Sequence, residues 1–155
     1  MRRISIAGVL AGGVVDIIAT NVLAIPVIFA AADMANADLA GAARNQVVPI
    51  LMGVLRNHPV LYIAGFVGGA MASVLGGYVA ARIAKRGHLW NGALSSYLCI
   101  GSSIYALATG TGGTIPLWQH IAFLPLSPAL GALGGYIVAK RGASHEMKPA
   151  EAMAG

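Results

Sequence analysis

Four apolar runs, each of roughly 20 residues or more, set the limits on what this chain can fold into. At about 1.5 Å of rise per residue, each run is long enough as a helix to cross about 30 Å of hydrocarbon. An irregular segment in lipid would leave its backbone N–H and C=O groups unpaired, so helices are the expected form. With 57% hydrophobic and 10% charged residues, the chain falls well short of the about 25% charge of a soluble domain. The expected fold class is therefore an all-α membrane protein, a single bundle of four transmembrane helices.

The runs cover about 4–32, 59–81, 89–109 and 115–139. The first, between Arg2-Arg3 and Asp33, imitates a signal peptide with Ala30, Ala31 and Ala32 as a cleavage site. It is about twice as long as such an apolar region and carries Asp16 at its middle, so a retained helix kinked at Pro26 is expected. The second starts at Pro59, a favourable first helical residue, and stops before Arg82, Lys85 and Arg86. A glycine-rich turn, Gly110 to Thr114, follows the third. The fourth has Pro116 near its start, contains Pro125 and Pro128, which predict a bend or local unwinding, and closes at Lys140 and Arg141. Between the first two runs, residues 36–56 place Leu39, Val47, Val48, Ile50, Leu51, Val54 and Leu55 at helical spacing around Pro49. This stretch is too short to span, and it reads as an interfacial or re-entrant amphipathic helix, with a plain connecting loop as the alternative. Residues 1–142 form one transmembrane domain, and 143–155 a polar, disordered cytoplasmic tail.

A net charge of +5 and a pI near 9.8 raise the question of a nucleic-acid partner. The basic residues sit at helix ends, which is the pattern of membrane topology rather than of a nucleic-acid surface. Arg2, Arg3, Arg82, Lys85, Arg86, Lys140, Arg141 and Lys148 fall on one side, against Arg44 and Arg56 on the other. The positive-inside rule makes the first side cytoplasmic and both termini internal. Trp90, Trp118, Tyr62, Tyr78 and Tyr136 lie where aromatic belts form. The bilayer is the expected partner, with a homo-oligomer or a larger membrane complex as further candidates.

Leu75-Gly76-Gly77-Tyr78-Val79-Ala80-Ala81 matches Leu133-Gly134-Gly135-Tyr136-Ile137-Val138-Ala139, each ahead of a basic cluster. With the weaker pair Gly8-Val9-Leu10-Ala11 and Gly92-Ala93-Leu94-Ser95, this suggests two helical hairpins in parallel repeat about an axis along the membrane normal. The alternative is that glycine, tyrosine and lysine each suit a helix end separately. Small residues recur every four positions: Gly68, Ala72, Gly76 and Ala80 in one row, and Gly69, Ser73, Gly77 and Ala81 in the next. Ser127, Gly131, Gly135 and Ala139 repeat the pattern, and Gly8 and Gly12 begin it on the first helix. Such a glycine zipper lets backbones approach closely, which matters because apolar burial does not drive helix association in lipid. It would serve packing within one bundle, or else a dimer or sliding surface.

The run Gly76-Gly77-Tyr78, Ala80, Arg82, Ala84-Lys85-Arg86 and then Gly92-Ala93-Leu94 resembles an uncharacterised family of small four-helix bacterial membrane proteins. The resemblance covers about residues 68–94 and implies a bacterial inner membrane, with no mechanism.

Asp16 is the one acidic residue inside a predicted span, about 18 Å along it from Ile4 and so close to the bilayer centre. A central Asp costs about 2.5 to 3.5 kcal/mol on insertion scales, so it should face protein or water. Thr20 lies one turn on and Asn21 beside it, which makes Asp16, Thr20 and Asn21 either a proton or cation site or a hydrogen-bonded link between helices. A carboxylate in the first of four helices is similar to the small multidrug resistance antiporters, in which it exchanges protons for cationic drugs; those have a glutamate and short loops, unlike this chain. His58 and His120 belong to one side and His88 and His145 to the other, without metal-ligand spacing, and Cys99 is the single cysteine. Ser95, Ser96, Tyr97, Ser102 and Ser103 read as interhelical hydrogen-bonding groups rather than as part of a catalytic triad. No catalytic residue, metal or cofactor is expected. The expected role is structural or accessory, with a proton- or cation-coupled small transporter or channel using Asp16 as the alternative.

Overall fold

The computed structural model describes the backbone of residues 4–108 and 117–151, and the side chains over most of 4–105 and 121–141. Arg2, Arg3, the expected turn at 110–114, Pro116 and residues 152–155 lie outside the described residues. So do the side chains of Ser102, Ser103, Trp118, His120, His145 and Lys148.

The chain is all-helical, without a strand among the described residues. In order, the helices are α1 (Ile6–Met34), α2 (Asn36–Leu39), α3 (Arg44–Asn57), α4 (Pro59–Ala84), α5 (His88–Ser95), α6 (Tyr97–Ala108) and α7 (Leu117–Glu151). Among the described residues, two of these, α1 with 29 residues and α4 with 26, are long and apolar enough to cross a membrane. Only 11% and 22% of their most apolar stretches are buried. A core helix of a soluble protein would hide such a stretch, whereas here Ile6, Phe29, Val60 and Ile63 lie largely exposed.

Each helix begins and ends for local reasons. The Ser5 hydroxyl accepts from the Gly8 N–H at 3.2 Å and caps α1. Pro59 opens α4, where its missing N–H has no intrahelical partner to lose. The α4–α5 connection turns through two left-handed residues, Lys85 at φ 56° and Gly87 at φ 63°. Glycine adopts that region freely, and lysine pays a Cβ clash.

Several expectations need correction. The third run is not one continuous helix: it is broken into α5 and α6 at Ser96, whose own backbone stays in the right-handed helical region. The fourth does not stop at 139, because α7 continues helical to Glu151 through most of the tail expected to be disordered. Helix α7 stays helical through Pro125 and Pro128, so the expected local unwinding does not occur there, and α1 likewise stays helical through Pro26. The segment 36–56 resolves into α2 and α3, with Val47, Ile50, Leu51, Val54 and Leu55 half-buried, Arg44, Asn45, Gln46 and Arg56 exposed, and Val48, expected with the apolar residues, exposed as well. Gln46 accepts from the Ala43 N–H at 3.1 Å and steadies the start of α3.

α1 and α4 pack antiparallel. Gly8 lies against Ala80, Gly12 against Gly76, Gly68 against Leu23, and Gly65 near Val27. On the far side of α4, Gly77 meets Gly131 of α7, and Gly92 of α5 meets Gly131 and Gly135. The amide of Ser5 donates to Asn91 Oδ1 at 2.7 Å, which brings the start of α1 to the α4–α5 connection. Arg82, Lys85, Arg86, Lys140 and Arg141 therefore gather at the end of the molecule that holds the start of α1.

Candidate functional site

Asp16 is 1% exposed and lies where α1 touches α4. The Ser73 hydroxyl, on α4, reaches both of its carboxylate oxygens, at 3.3 Å to Oδ1 and 3.2 Å to Oδ2. The Thr20 hydroxyl makes a long contact of 3.5 Å to Oδ1, and the Cys99 thiol of α6 is a further hydrogen-bonding neighbour. The cluster therefore joins three helices, and each of these partners is a neutral hydroxyl or thiol. Ser73 can reach in because Gly76, one turn on, has no side chain. A Cβ there would stand 2.7 Å from the Asp16 Cβ and 2.7 Å from the Gly12 carbonyl oxygen. The close approach of α1 and α4 and the carboxylate–hydroxyl contact thus depend on the same pair of glycines.

Of the three residues expected at this site, Asp16 and Thr20 come together and Asn21 does not. The Asn21 amide donates 2.8 Å to the Ile17 carbonyl of its own helix and is exposed. The reason is angular, since five residues rotate a helix by about 140° from Asp16, whereas four leave Thr20 about 40° away. Ser73, expected only as a packing residue, reaches both carboxylate oxygens, and Cys99 had no expected role at all.

The expected packing residues divide by face. Gly68, Ala72 and Gly76 fall in one row of α4, and Gly68 and Gly76 of that row face α1. In the next row Ser73 reaches Asp16 and Gly77 meets α7, while Gly69 has nothing within 4 Å. Gly131 and Gly135 both contact α5. Gly134, outside the expected rows, is packed against Val74 and Tyr78 of α4, and Gly13 against Leu98. A twofold axis relating the hairpins would put Gly134 on α5 and Gly135 on α4, as Gly76 faces α1 and Gly77 faces α7. The observed assignment is the reverse.

A second polar group was missed by sequence reasoning. Asn91, with no exposed surface, accepts from Ser5 N–H and donates through Nδ2 to Arg86 O at 3.1 Å and Gly87 O at 3.0 Å. It ties the first turn of α1 to the α4–α5 connection. Nearby, His88 Nδ1 lies 2.9 Å from Ala81 O. Ser95, expected to bond between helices, instead donates 2.7 Å to Gly92 O within α5. The Ser96 hydroxyl is buried without a partner among the described residues, at the break between α5 and α6. Among the described residues, no three His, Cys, Asp or Glu side chains gather as a metal ion would require.

Comparison with family models, with curated proteins and with solved structures gives no match for this chain.

Proposed function

We propose that the chain crosses a bacterial inner membrane four times, with both ends in the cytoplasm, as a structural or accessory subunit built for close helix packing. α1 and α4 supply two crossings. α5 and α6, parted by the single residue Ser96, supply a bent third, and the apolar part of α7 a fourth. The basic cluster at the amino-terminal end, set against Arg44 and Arg56 elsewhere, orients the bundle. One observation carries the role: the partners of Asp16 come from α1, α4 and α6 of its own bundle, so the one mid-depth carboxylate is engaged in holding helices together.

A second reading has its own observation. Because those partners are neutral, an ionised Asp16 has no counter-charge, and a proton or small cation would supply one. Asp16→Asn separates the two. Asn keeps the shape and can both donate to and accept from Ser73, but it cannot ionise. On the accessory reading the variant folds with wild-type thermal stability, and wild-type proteoliposomes under a pH gradient carry no more protons or cations than empty ones. Flux in the wild type that Asp16→Asn abolishes would replace this reading with coupled transport.

A further inference from the structure

At the basic end, two guanidinium groups from different helices share one phenol. Arg82 donates from Nη1 to the Tyr78 hydroxyl at 2.8 Å, one turn along α4. Arg141 of α7 places its guanidinium carbon 6.0 Å from the centroid of the same ring. Beside them a groove of about 420 Å³ is lined by Leu133, Tyr136, Ile137, Lys140 and Arg141. Leu133, Tyr136, Ile137 and Lys140 follow the spacing of a single helix face. Leu133 and Tyr136 are about half exposed, so the groove presents an apolar wall, an amphipathic tyrosine and a cationic rim in that order along α7.

The chain's carboxylates do not neutralise this rim from α1 or α2. Asp16 is spent on Ser73, and Asp33 and Asp38 lie at and beyond the opposite end of α1. Only Glu146 and Glu151 follow on α7 itself. Guanidinium groups bind phosphate oxygens in a planar, two-pronged manner, and phenol contacts hold these two side chains ready for it. A free inorganic anion would find the charges but gain nothing from Leu133 and Ile137. An amphiphile gains from both.

We propose that this groove binds one anionic phospholipid of the cytoplasmic leaflet, with its phosphate among Arg82, Lys140 and Arg141 and an acyl chain along Leu133 and Ile137. The leaflet rests on the four-span topology proposed above, whereas the site itself does not. Each cation near the headgroup contributes roughly a fivefold preference, so three contribute on the order of a hundredfold.

The full chain is reconstituted in vesicles of equal phosphatidylglycerol and phosphatidylcholine, extracted in mild detergent and weighed intact by native mass spectrometry. Wild type is expected to retain one phosphatidylglycerol in about tenfold or greater preference to phosphatidylcholine. The combined variant Arg82→Gln, Lys140→Gln, Arg141→Gln is expected to lose that preference, and Arg82→Lys with Arg141→Lys to keep part of it. Equal retention of the two lipids by wild type, or unchanged retention by the glutamine variant, overturns the proposal. Displacement of the lipid by millimolar inorganic phosphate also overturns it, in favour of a free-anion site. Should the triple variant lose its helical circular dichroism, Lys140→Gln alone, on the exposed rim, reads the same ratio. Retention in detergent is blind to which side the groove faces. A failed lipid result therefore leaves the topology standing, and a periplasm-active reporter working at the His88 loop would refute the topology while leaving the lipid result intact.

Discussion

Gly69 and Gly77 occupy the same row of α4 and are chemically identical, yet they should respond to alanine in opposite ways. At Gly69 nothing lies within 4 Å of the position a Cβ would take. The substitution there only removes glycine's helix penalty, a gain of about 0.5 to 1 kcal/mol. At Gly77 the new methyl would collide with the backbone of Gly131, including its carbonyl oxygen, carbonyl carbon and Cα. A backbone cannot rotate aside as a side-chain tip can, so α4 and α7 must separate, at about 1 to 3 kcal/mol for overpacking. The propensity gain offsets up to about 1 kcal/mol of that. The two variants should therefore differ by about 1 to 3 kcal/mol, Gly69→Ala at or above wild-type stability and Gly77→Ala below it. Unfolding of both in one detergent, followed by heat and by steric trapping, reads the difference directly. If Gly77→Ala is as stable as Gly69→Ala, the α4–α7 contact is not made by backbone against backbone, and the reasoning behind the packed end of the bundle fails.

Other outcomes follow from the same geometry. Asn91→Leu leaves the Ser5 amide and the Arg86 carbonyl without their side-chain partner, while the Gly87 carbonyl keeps the backbone N–H of residue 91; at about 1 to 3 kcal/mol for a buried unpaired group, the variant should be clearly destabilised. Hydrogen exchange at the first turn of α1 should rise with it, and unchanged protection there would count against the link. Lys85→Gly removes the Cβ from a left-handed residue and should stabilise by about 1 kcal/mol, visible as a higher unfolding midpoint, whereas a lower midpoint would mean that the lysine side chain matters more than its strain. Asp16→Asn should leave stability near wild type, and a large loss would show that the carboxylate itself, not its hydrogen-bonding shape, holds α1 to α4.

Much of the fold was legible because solvent dictates it. Apolar runs bounded by basic residues mark α1 and α4, and the apolar spacing around Pro49 marks α3, since both patterns follow from which groups must avoid or meet water. The break at Ser96 was not legible. No proline or glycine adjoins it, and the run reads as one apolar stretch. The helical continuation past 141 was hidden for the opposite reason, because a polar composition carries no burial signal for either helix or coil.

The site shows the same division at finer scale. Depth singled out Asp16, and four-residue spacing added Thr20, because both are properties of one helix. Its partner on α4, Ser73, lies 57 residues away, and nothing in either segment names the other. Spacing also misjudged glycines that serve two neighbours. A row of fours assumes one partner per face, but α4 is held between α1 and α7 and α7 between α4 and α5, so Gly76 with Gly77 and Gly134 with Gly135 point adjacent glycines at different helices.

This use of adjacent glycines also explains why the basic end is the closed one. A helix pair can come within backbone contact along one glycine row, but a helix with a neighbour on either side needs small residues on two adjoining rows. Among the described residues, adjacent glycines pressed against two different helices occur near the basic end, at Gly76-Gly77 and Gly134-Gly135, with Gly8, Gly12 and Gly92 opposite, whereas at the Gly68-Gly69 pair farther along α4 nothing lies within 4 Å of a Cβ added to Gly69. Toward the other end of the α1–α4 pair, a Cβ added at Gly68 would stand 3.4 Å from Leu23 and one at Gly65 3.9 Å from Val27, ordinary van der Waals distances at which a methyl meets little resistance. Asp16 sits at the boundary between these two regimes, one turn past Gly12. Its contact with Ser73 is therefore the last point, moving away from the basic end, at which α1 and α4 are pinned by both steric fit and a polar bond.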